Sequence, residues 1–136
     1  MLHKVEIADY MLKQPITGHP ELTIYEAALL IVENKVSGLV IVDDKKQLLG
    51  MLSELDCLKA IMASAYNDGE VEIAKVKDVM TKNVIFQNPR DSIIDVADSM
   101  FRYKHKRRPV LSQNKLVGQL TCREILNVIT KNYWRM

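Results

Sequence analysis

Twice in this 136-residue chain a hydroxyl and a carboxylate stand three positions apart directly after an apolar run: Gly50-Met51-Leu52-Ser53-Glu54-Leu55-Asp56 and Gly118-Gln119-Leu120-Thr121-Cys122-Arg123-Glu124. Where a strand ends and a helix begins, Ser/Thr-x-x-Asp/Glu is the spacing of a capping box. The hydroxyl accepts from an unpaired N–H of the first turn, and the carboxylate reaches back to the cap. The same pair suits a ligand. A helix N-terminus beside a hydroxyl favours an anionic group, and a carboxylate can accept from two ribose hydroxyls. One residue pair can serve both roles, and the residue types alone do not separate them.

A second cluster is the basic run Arg102-Tyr103-Lys104-His105-Lys106-Arg107-Arg108 before Pro109. It has no counterpart in the first half of the chain, where Glu33, Asn34, Val36, Ser37 and Gly38 stand. Three readings are open: a solvated surface, a set facing phosphate, or a docking site for nucleic acid. Arginine makes planar bidentate contacts to phosphate oxygens, so arginines leading into a core strand are better placed than a mobile tail. The asymmetry predicts that one half carries the stronger anion site. His3, His19 and His105 lack ligand spacing with any Cys, Asp or Glu cluster, so no metal site is expected. The chain shows no P-loop, GxGxxG, HExxH or nucleophile elbow, and no enzyme activity or catalytic residue is expected.

The elements that must position these residues are written twice. Asp9 and Met11 align with Asp78 and Met80, Pro20 with Pro89, Ile24 with Ile93 and Ala28 with Ala97, each pair 69 positions apart. Past Asp43 the spacing falls by one residue, at a polar stretch that reads as a turn of variable length. Each copy reads strand, helix, strand, strand, helix, an α/β (α+β) fold. The opening is a short helical turn around Ala8 to Lys13 and an extended Pro15-Ile16-Thr17. Thr23 and Glu26 form a capping box, followed by the stripe Ile24, Ala27, Ala28, Ile31 and Val32. In the second copy Ser92 and Asp95 are the box, and Ile93, Val96, Ala97, Met100 and Phe101 the stripe. Leu39 to Val42 and Leu48 to Leu52 predict a hairpin, and a second helix starts near Ser53 and ends at Asn67-Asp68-Gly69. The expected division is residues 1–66, a packed connector 67–76 containing Val71, Ile73 and Val76, and residues 77–136. A unit that cannot bury its apolar face alone buries it against its copy, which leaves two related clefts.

Composition narrows the function classes. At 48% hydrophobic the chain can fill one compact core, and a formal net charge of +2 is too small to imply polyanion binding. Its apolar runs fall far short of the roughly 20 residues a membrane span needs, so neither a span nor a leader is expected. Cys57 and Cys122 occupy unmatched positions without CxxC spacing, which suits structural thiols in a reduced cytoplasmic compartment. Tyr133-Trp134-Arg135-Met136 would expose aromatic area unless it covers its own core or a partner's.

With these residues in place the chain resembles a tandem pair of cystathionine-β-synthase (CBS) domains, the Bateman module. The resemblance is carried by Val79-Met80-Thr81-Lys82-Asn83-Val84, Pro89-Arg90-Asp91-Ser92-Ile93, Ser37-Gly38-Leu39-Val40-Ile41-Val42-Asp43, Arg107-Arg108-Pro109-Val110 and the two Gly-to-carboxylate runs. It spans Val5 to Ile129. The resemblance implies a pseudo-two-fold pair of βαββα repeats packed as one module, often a homodimer. Such a pair binds an adenosyl ligand such as AMP, ADP, ATP, NAD or S-adenosylmethionine in the cleft between the repeats and regulates a partner.

By the same resemblance Ser53 and Asp56 hold ribose, with Pro15, Ile16 and Thr17 as an adenine wall. Thr121 and Glu124 are the second copy's equivalents, with Val84, Ile85 and Phe86 as the wall, and Lys106, Arg107 and Arg123 reach phosphate. Glu124 in place of Asp adds one methylene and is expected to push its carboxylate about 1.5 Å deeper. Gly38 stands where a phosphate-binding arginine often sits, so one main site is expected, with Asp56 and Ser53 on ribose and Arg107 and Arg123 on phosphate. The resulting expectation is a regulatory sensor of an adenine nucleotide that signals in trans to an enzyme or transporter. The competing readings are a scaffold with empty clefts and a weak nucleic-acid binder using Arg102 to Arg108.

Overall fold

The computed structural model describes residues 4–66 and 74–132. The expected breaker at Asn67, the connector residues Val71 and Ile73, and the terminal aromatic segment lie outside the described residues. The fold is mixed α and β, with a strand–strand–helix pattern occurring twice. By its contacts the chain divides into two compact units: Ile16–Val84, and Met1–Pro15 together with Ile85–Met136. These boundaries differ from the sequence-based division, because the opening turn of each repeat packs in the unit of the other.

In the unit Ile16–Val84 the strands are β1 (Thr17–Gly18), β2 (Gly38–Val42) and β3 (Leu48–Ser53), with β1 parallel and β3 antiparallel to β2. Every residue of β2 is buried, as an apolar run covered on both faces requires. Helix α1 (Ile24–Glu33) starts at the expected box: the Glu26 N–H donates to Thr23 Oγ1 at 3.0 Å, and the Thr23 N–H donates to Glu26 Oε1 at 2.9 Å. Ile24, Ala27 and Ile31 enter the core with Leu39, Ile41 and Leu52. The expected stripe is too wide, since Val32 is 72% exposed. Helix α2 (Glu54–Ala65) follows β3, and the short α3 (Val76–Val79) buries Val76 in the same core. Beyond α3, Thr81 exchanges backbone hydrogen bonds with Met51 at 3.0 and 2.9 Å. That approach needs Gly50, where a Cβ would stand 2.6 Å from the Thr81 carbonyl oxygen.

The other unit repeats the arrangement. Helix α4 (Ile93–Tyr103), β4 (Arg107–Ser112), β5 (Lys115–Thr121) and α5 (Cys122–Asn132) follow in order. Ile93, Val96, Met100, Val110, Leu120 and Val128 are buried together with Ile7. Ile7 sits in a 3-10 turn, Ile7–Asp9, shorter and earlier than the expected helical turn to Lys13. Leu12 exchanges backbone hydrogen bonds with Gln119 at 2.8 and 2.9 Å, and a Cβ on Gly118 would meet Met11 Sδ at 2.6 Å. This is the Met80–Thr81 device again, built from the equivalent residues.

Two expectations for the second copy are corrected. Ser92 makes no side-chain cap, its hydroxyl is buried without a partner, and the Ile93 N–H donates instead to the Val5 carbonyl at 2.8 Å. Phe101 is 84% exposed and leaves the stripe. The length difference between the copies falls in the hairpin turn. Asp43 Oδ1 accepts from the N–H groups of Lys45 and Gln47 across the longer turn, whereas Gln113 and Asn114, both at positive φ, close the shorter one.

Candidate ligand-binding site

In the unit Ile16–Val84, strand β3 delivers Ser53 to the start of α2, directly opposite Gly38 on β2. The Asp56 N–H donates to Ser53 Oγ at 3.0 Å, and the Ser53 N–H donates to Asp56 Oδ2 at 2.9 Å. The Glu54 N–H is taken by the Ser37 carbonyl at 2.8 Å. The capping use therefore employs one carboxylate oxygen of Asp56 and leaves Oδ1 without a hydrogen bond among the described residues. Both side chains are half-buried. Of the expected adenine wall, Ile16 packs against the core and Thr17 is exposed on β1, next to β2 in the same sheet. Pro15 belongs to the other unit.

The equivalent helix start is wired differently. Thr121 stands opposite Arg107 on β4, and the Cys122 N–H donates to the Lys106 carbonyl at 3.1 Å. Glu124 folds back: Oε1 accepts from the Thr121 N–H at 3.1 Å and Oε2 from the Thr121 hydroxyl at 2.6 Å. The expectation that its longer side chain pushes the carboxylate deeper into the ribose position is thus overturned. The extra methylene lets the carboxylate take both donors of Thr121, so neither oxygen remains unengaged. Lys106, Arg107 and Arg123 do gather around this helix start, with Lys106 and Arg123 exposed and Arg107 half-buried. Ile85 and Phe86 lie in this unit and Val84 in the other. Phe86 is 52% exposed.

The basic run is not one surface. Arg102 pairs with Asp98 one turn back at 3.3 Å. Arg108 is 1% exposed, and its guanidinium donates from Nε to His105 Nδ1 at 2.9 Å, from one terminal nitrogen to Gln87 Oε1 at 2.6 Å, and from the other to Ser99 Oγ at 3.0 Å. The Tyr103 ring lies 5.7 Å from the guanidinium carbon. This buried cation has only neutral acceptors, and burial lowers its pKa. Because Nδ1 accepts from Arg108, His105 is held neutral, and burial followed by the charge of Arg108 lowers its pKa below 6.5. The arrangement was missed from the sequence, although the duplication carried the signal: Arg108 occupies the slot of the fully buried Leu39.

Cys57 is buried, and burial followed by the neighbouring Asp56 charge pushes its thiol pKa up. Cys122 is exposed at the head of α5. Among the described residues no cluster of His, Cys, Asp and Glu could hold a metal, and no helix is long and apolar enough to cross a membrane.

Comparison with known proteins places this geometry in context. The family profile described as CBS domain matches twice, over residues 7–63 and 76–131. The CBS domain-containing protein YhcV of Bacillus subtilis is 31% identical over 82% of this chain and 76% of its own length. CBSX2, a CBS-pair protein from Arabidopsis thaliana whose crystal structure contains AMP, is 26% identical with a TM-score of 0.82, covering 93% of this chain and 96% of that one. The CBS domain pair of protein MJ0100, in complex with methylthioadenosine and S-adenosylmethionine, is 26% identical with a TM-score of 0.79 and the same coverage. The chain spans 44% and 22% of the length of the first two curated relatives it matches.

Proposed function

The chain belongs to the CBS-domain family, and from that premise we propose that it is a regulatory module that binds an adenosyl metabolite, an adenine nucleotide foremost, and passes its occupancy to a partner. The observation that carries this is the Ser53–Asp56 helix start, whose unengaged Oδ1 is available to ribose hydroxyls. Support comes from two structural relatives of the same fold whose crystals hold AMP and S-adenosyl compounds. In this reading Asp56 and Ser53 hold the ribose and Ile16 and Thr17 flank the adenine. In the other unit Lys106, Arg107 and Arg123, gathered at the Thr121 helix start, offer cations to a phosphate. No ribose role is proposed for Glu124, whose carboxylate is consumed by Thr121.

Regulation follows if the ligand stabilises one conformation over another. A second copy of the chain is placed among the partners, and the free thiols fit a reduced, cytoplasmic setting. The test is a thermal-shift titration with AMP, ADP, ATP, NAD and S-adenosylmethionine against a guanine nucleotide. A ligand specific for the native state raises the melting temperature as its concentration passes Kd. A dose-dependent rise with an adenosyl ligand and none with the guanine control is expected. No rise with any of them would overturn the proposal.

A further inference from the structure

The turn from α4 to β4 carries chemistry that its first-repeat equivalent lacks. Lys104 closes α4 in the left-handed region at φ 59°, and the His105 N–H returns to the Met100 carbonyl at 2.9 Å. The first repeat makes the same closure with Lys35, at φ 55°, and Val36, which packs against the core. An apolar residue frequently fills the position after such a helix stop. His105 stands there instead, with Nδ1 accepting from Arg108 Nε at 2.9 Å.

That bond exists only while the imidazole is neutral. A protonated Nδ1 is a donor, and a guanidinium has no acceptor to offer it. A proton can reach the ring, because His105 is half-buried and lines an open groove of about 690 Å³ between α4 and α5. The groups that face it would not repay the added charge. From α4 these are Arg102, already paired with Asp98, and Tyr103, whose ring centroid lies 5.6 Å away. From the turn and β4 they are Lys104, Lys106 and Arg108, and from α5 Cys122. In the segment before α4, Asp91 is bonded to Gln87, which turns its own Oε1 to Arg108. Among the described residues no carboxylate bonds to His105, and burial followed by the Arg108 charge lowers its pKa.

The turn also holds the head of α5. The His105 carbonyl accepts from Cys122 Sγ at 3.9 Å, and the Lys106 carbonyl from the Cys122 N–H at 3.1 Å. We propose that the α4–β4 turn is a proton-operated latch: neutral His105 locks it to Arg108, and a proton on His105 breaks the lock and draws Lys106 and Arg107 away from the Thr121 helix start. The latch acts on two cations of the functional proposal and rests on that reading for their role towards phosphate. A proton that binds the released state better shifts the population towards it. Acid should therefore weaken a phosphate-bearing ligand and spare a nucleoside.

Nuclear magnetic resonance of the full chain, titrated from pH 7 to about pH 5, reads the latch without a ligand. The Arg108 Nε–H signal should be sharp at neutral pH and vanish on acidification. The amides of Lys106, Arg107 and Cys122 should shift with the same midpoint as the His105 ring, below 6.5. The amides of Leu39–Val42 should not move. His105→Gln keeps a neutral acceptor for Arg108 and cannot titrate, so all these signals should hold still in it. A ring that titrates without moving the Arg108 signal, a ring that stays neutral throughout, or loss of the Leu39–Val42 signals at the same midpoint overturns the latch. Calorimetric titration with AMP and adenosine at the two pH limits reads its consequence. Phosphate itself takes up a proton at about pH 6, so wild type is compared with His105→Gln. AMP affinity should fall about tenfold further in wild type, and adenosine affinity should change equally in the two proteins. Equal AMP losses overturn the link to the phosphate cations. If neither ligand binds at pH 7 the functional reading fails, and the resonance titration still decides the latch.

Discussion

The helix starts at Ser53 and Thr121 come from the same duplicated unit, yet one methylene separates two chemistries. Asp56 takes only the Ser53 N–H, while its own N–H donates to the Ser53 hydroxyl, and its other oxygen has no hydrogen bond among the described residues. Glu124 reaches the N–H and the hydroxyl of Thr121 together. A box that closes on itself is a structural device, and a box that leaves an acceptor over is a potential binding device. The same divergence recurs in the cores. Half-buried Gln87, Ser99 and His105 form a polar cluster around the buried Arg108 where the first repeat has Gly18, Leu30, Val36 and Leu39. Duplication fixed the backbone, and each copy filled equivalent slots by different physics.

The comparison breaks most visibly at Arg108. Arg108→Leu, which copies Leu39 into its slot, leaves three half-buried acceptors without their donor and should lower unfolding free energy by about 1–3 kcal/mol in chemical denaturation. Changing Gln87, Ser99 and His105 to their first-repeat equivalents in the same protein should recover most of that loss, since a matched apolar set often replaces a buried charge at little cost. Next in size are the glycines. Gly50→Ala drives a Cβ towards the Thr81 carbonyl at 2.6 Å, whereas at Gly118 the nearest atom is a methionine sulfur that can turn aside and the Leu12 carbonyl stands farther off, at 2.9 Å. Gly50→Ala should cost roughly 1–3 kcal/mol, and more than Gly118→Ala, in the same denaturation measurement.

Smaller effects separate the caps. Ser53→Ala should cost about 1 kcal/mol, because the Asp56 N–H loses its acceptor. Thr121→Ala should cost less, since the Glu124 carboxylate keeps the Thr121 N–H. The smallest effect is a pH slope confined to the second repeat's cluster. His105 is neutral when folded and its pKa is lowered from 6.5, so the unfolded chain binds more protons. Its contribution is complete above 6.5 and is lost as pH falls through the folded value. Melting temperature should therefore drop between pH 7 and pH 5, and His105→Val should flatten that part of the curve.

The duplicated spacing, the hairpins and the Thr23 box were legible because local chemistry sets them: a turn signal, a cap spacing, an apolar period. The chain exchange was not, because Met11 and Met80 read as openings of their own repeats, and only the close approaches at Gly118 and Gly50 show which sheet each one seals. The Ser92 box did not form, and nothing in the structure explains it: the Ile93 N–H takes a backbone carbonyl, but so does the Ile24 N–H beside an intact Thr23 box. Arg108 looked like part of a surface run because charge is usually solvated. Arg102, Lys104 and Lys106 of the run are exposed, but the strand position of Arg108 points it into a core slot.

The central claim is that Asp56, and not Glu124, retains the capacity to hold a ribose. Isothermal titration of an adenine nucleotide into the wild-type chain, Asp56→Asn and Glu124→Gln tests it most directly, since both substitutions keep a hydrogen-bond acceptor for the helix cap. The account predicts that Asp56→Asn weakens binding about tenfold or more while Glu124→Gln stays within about twofold of wild type. Equal losses in the two variants, or a loss at Glu124 alone, would contradict it.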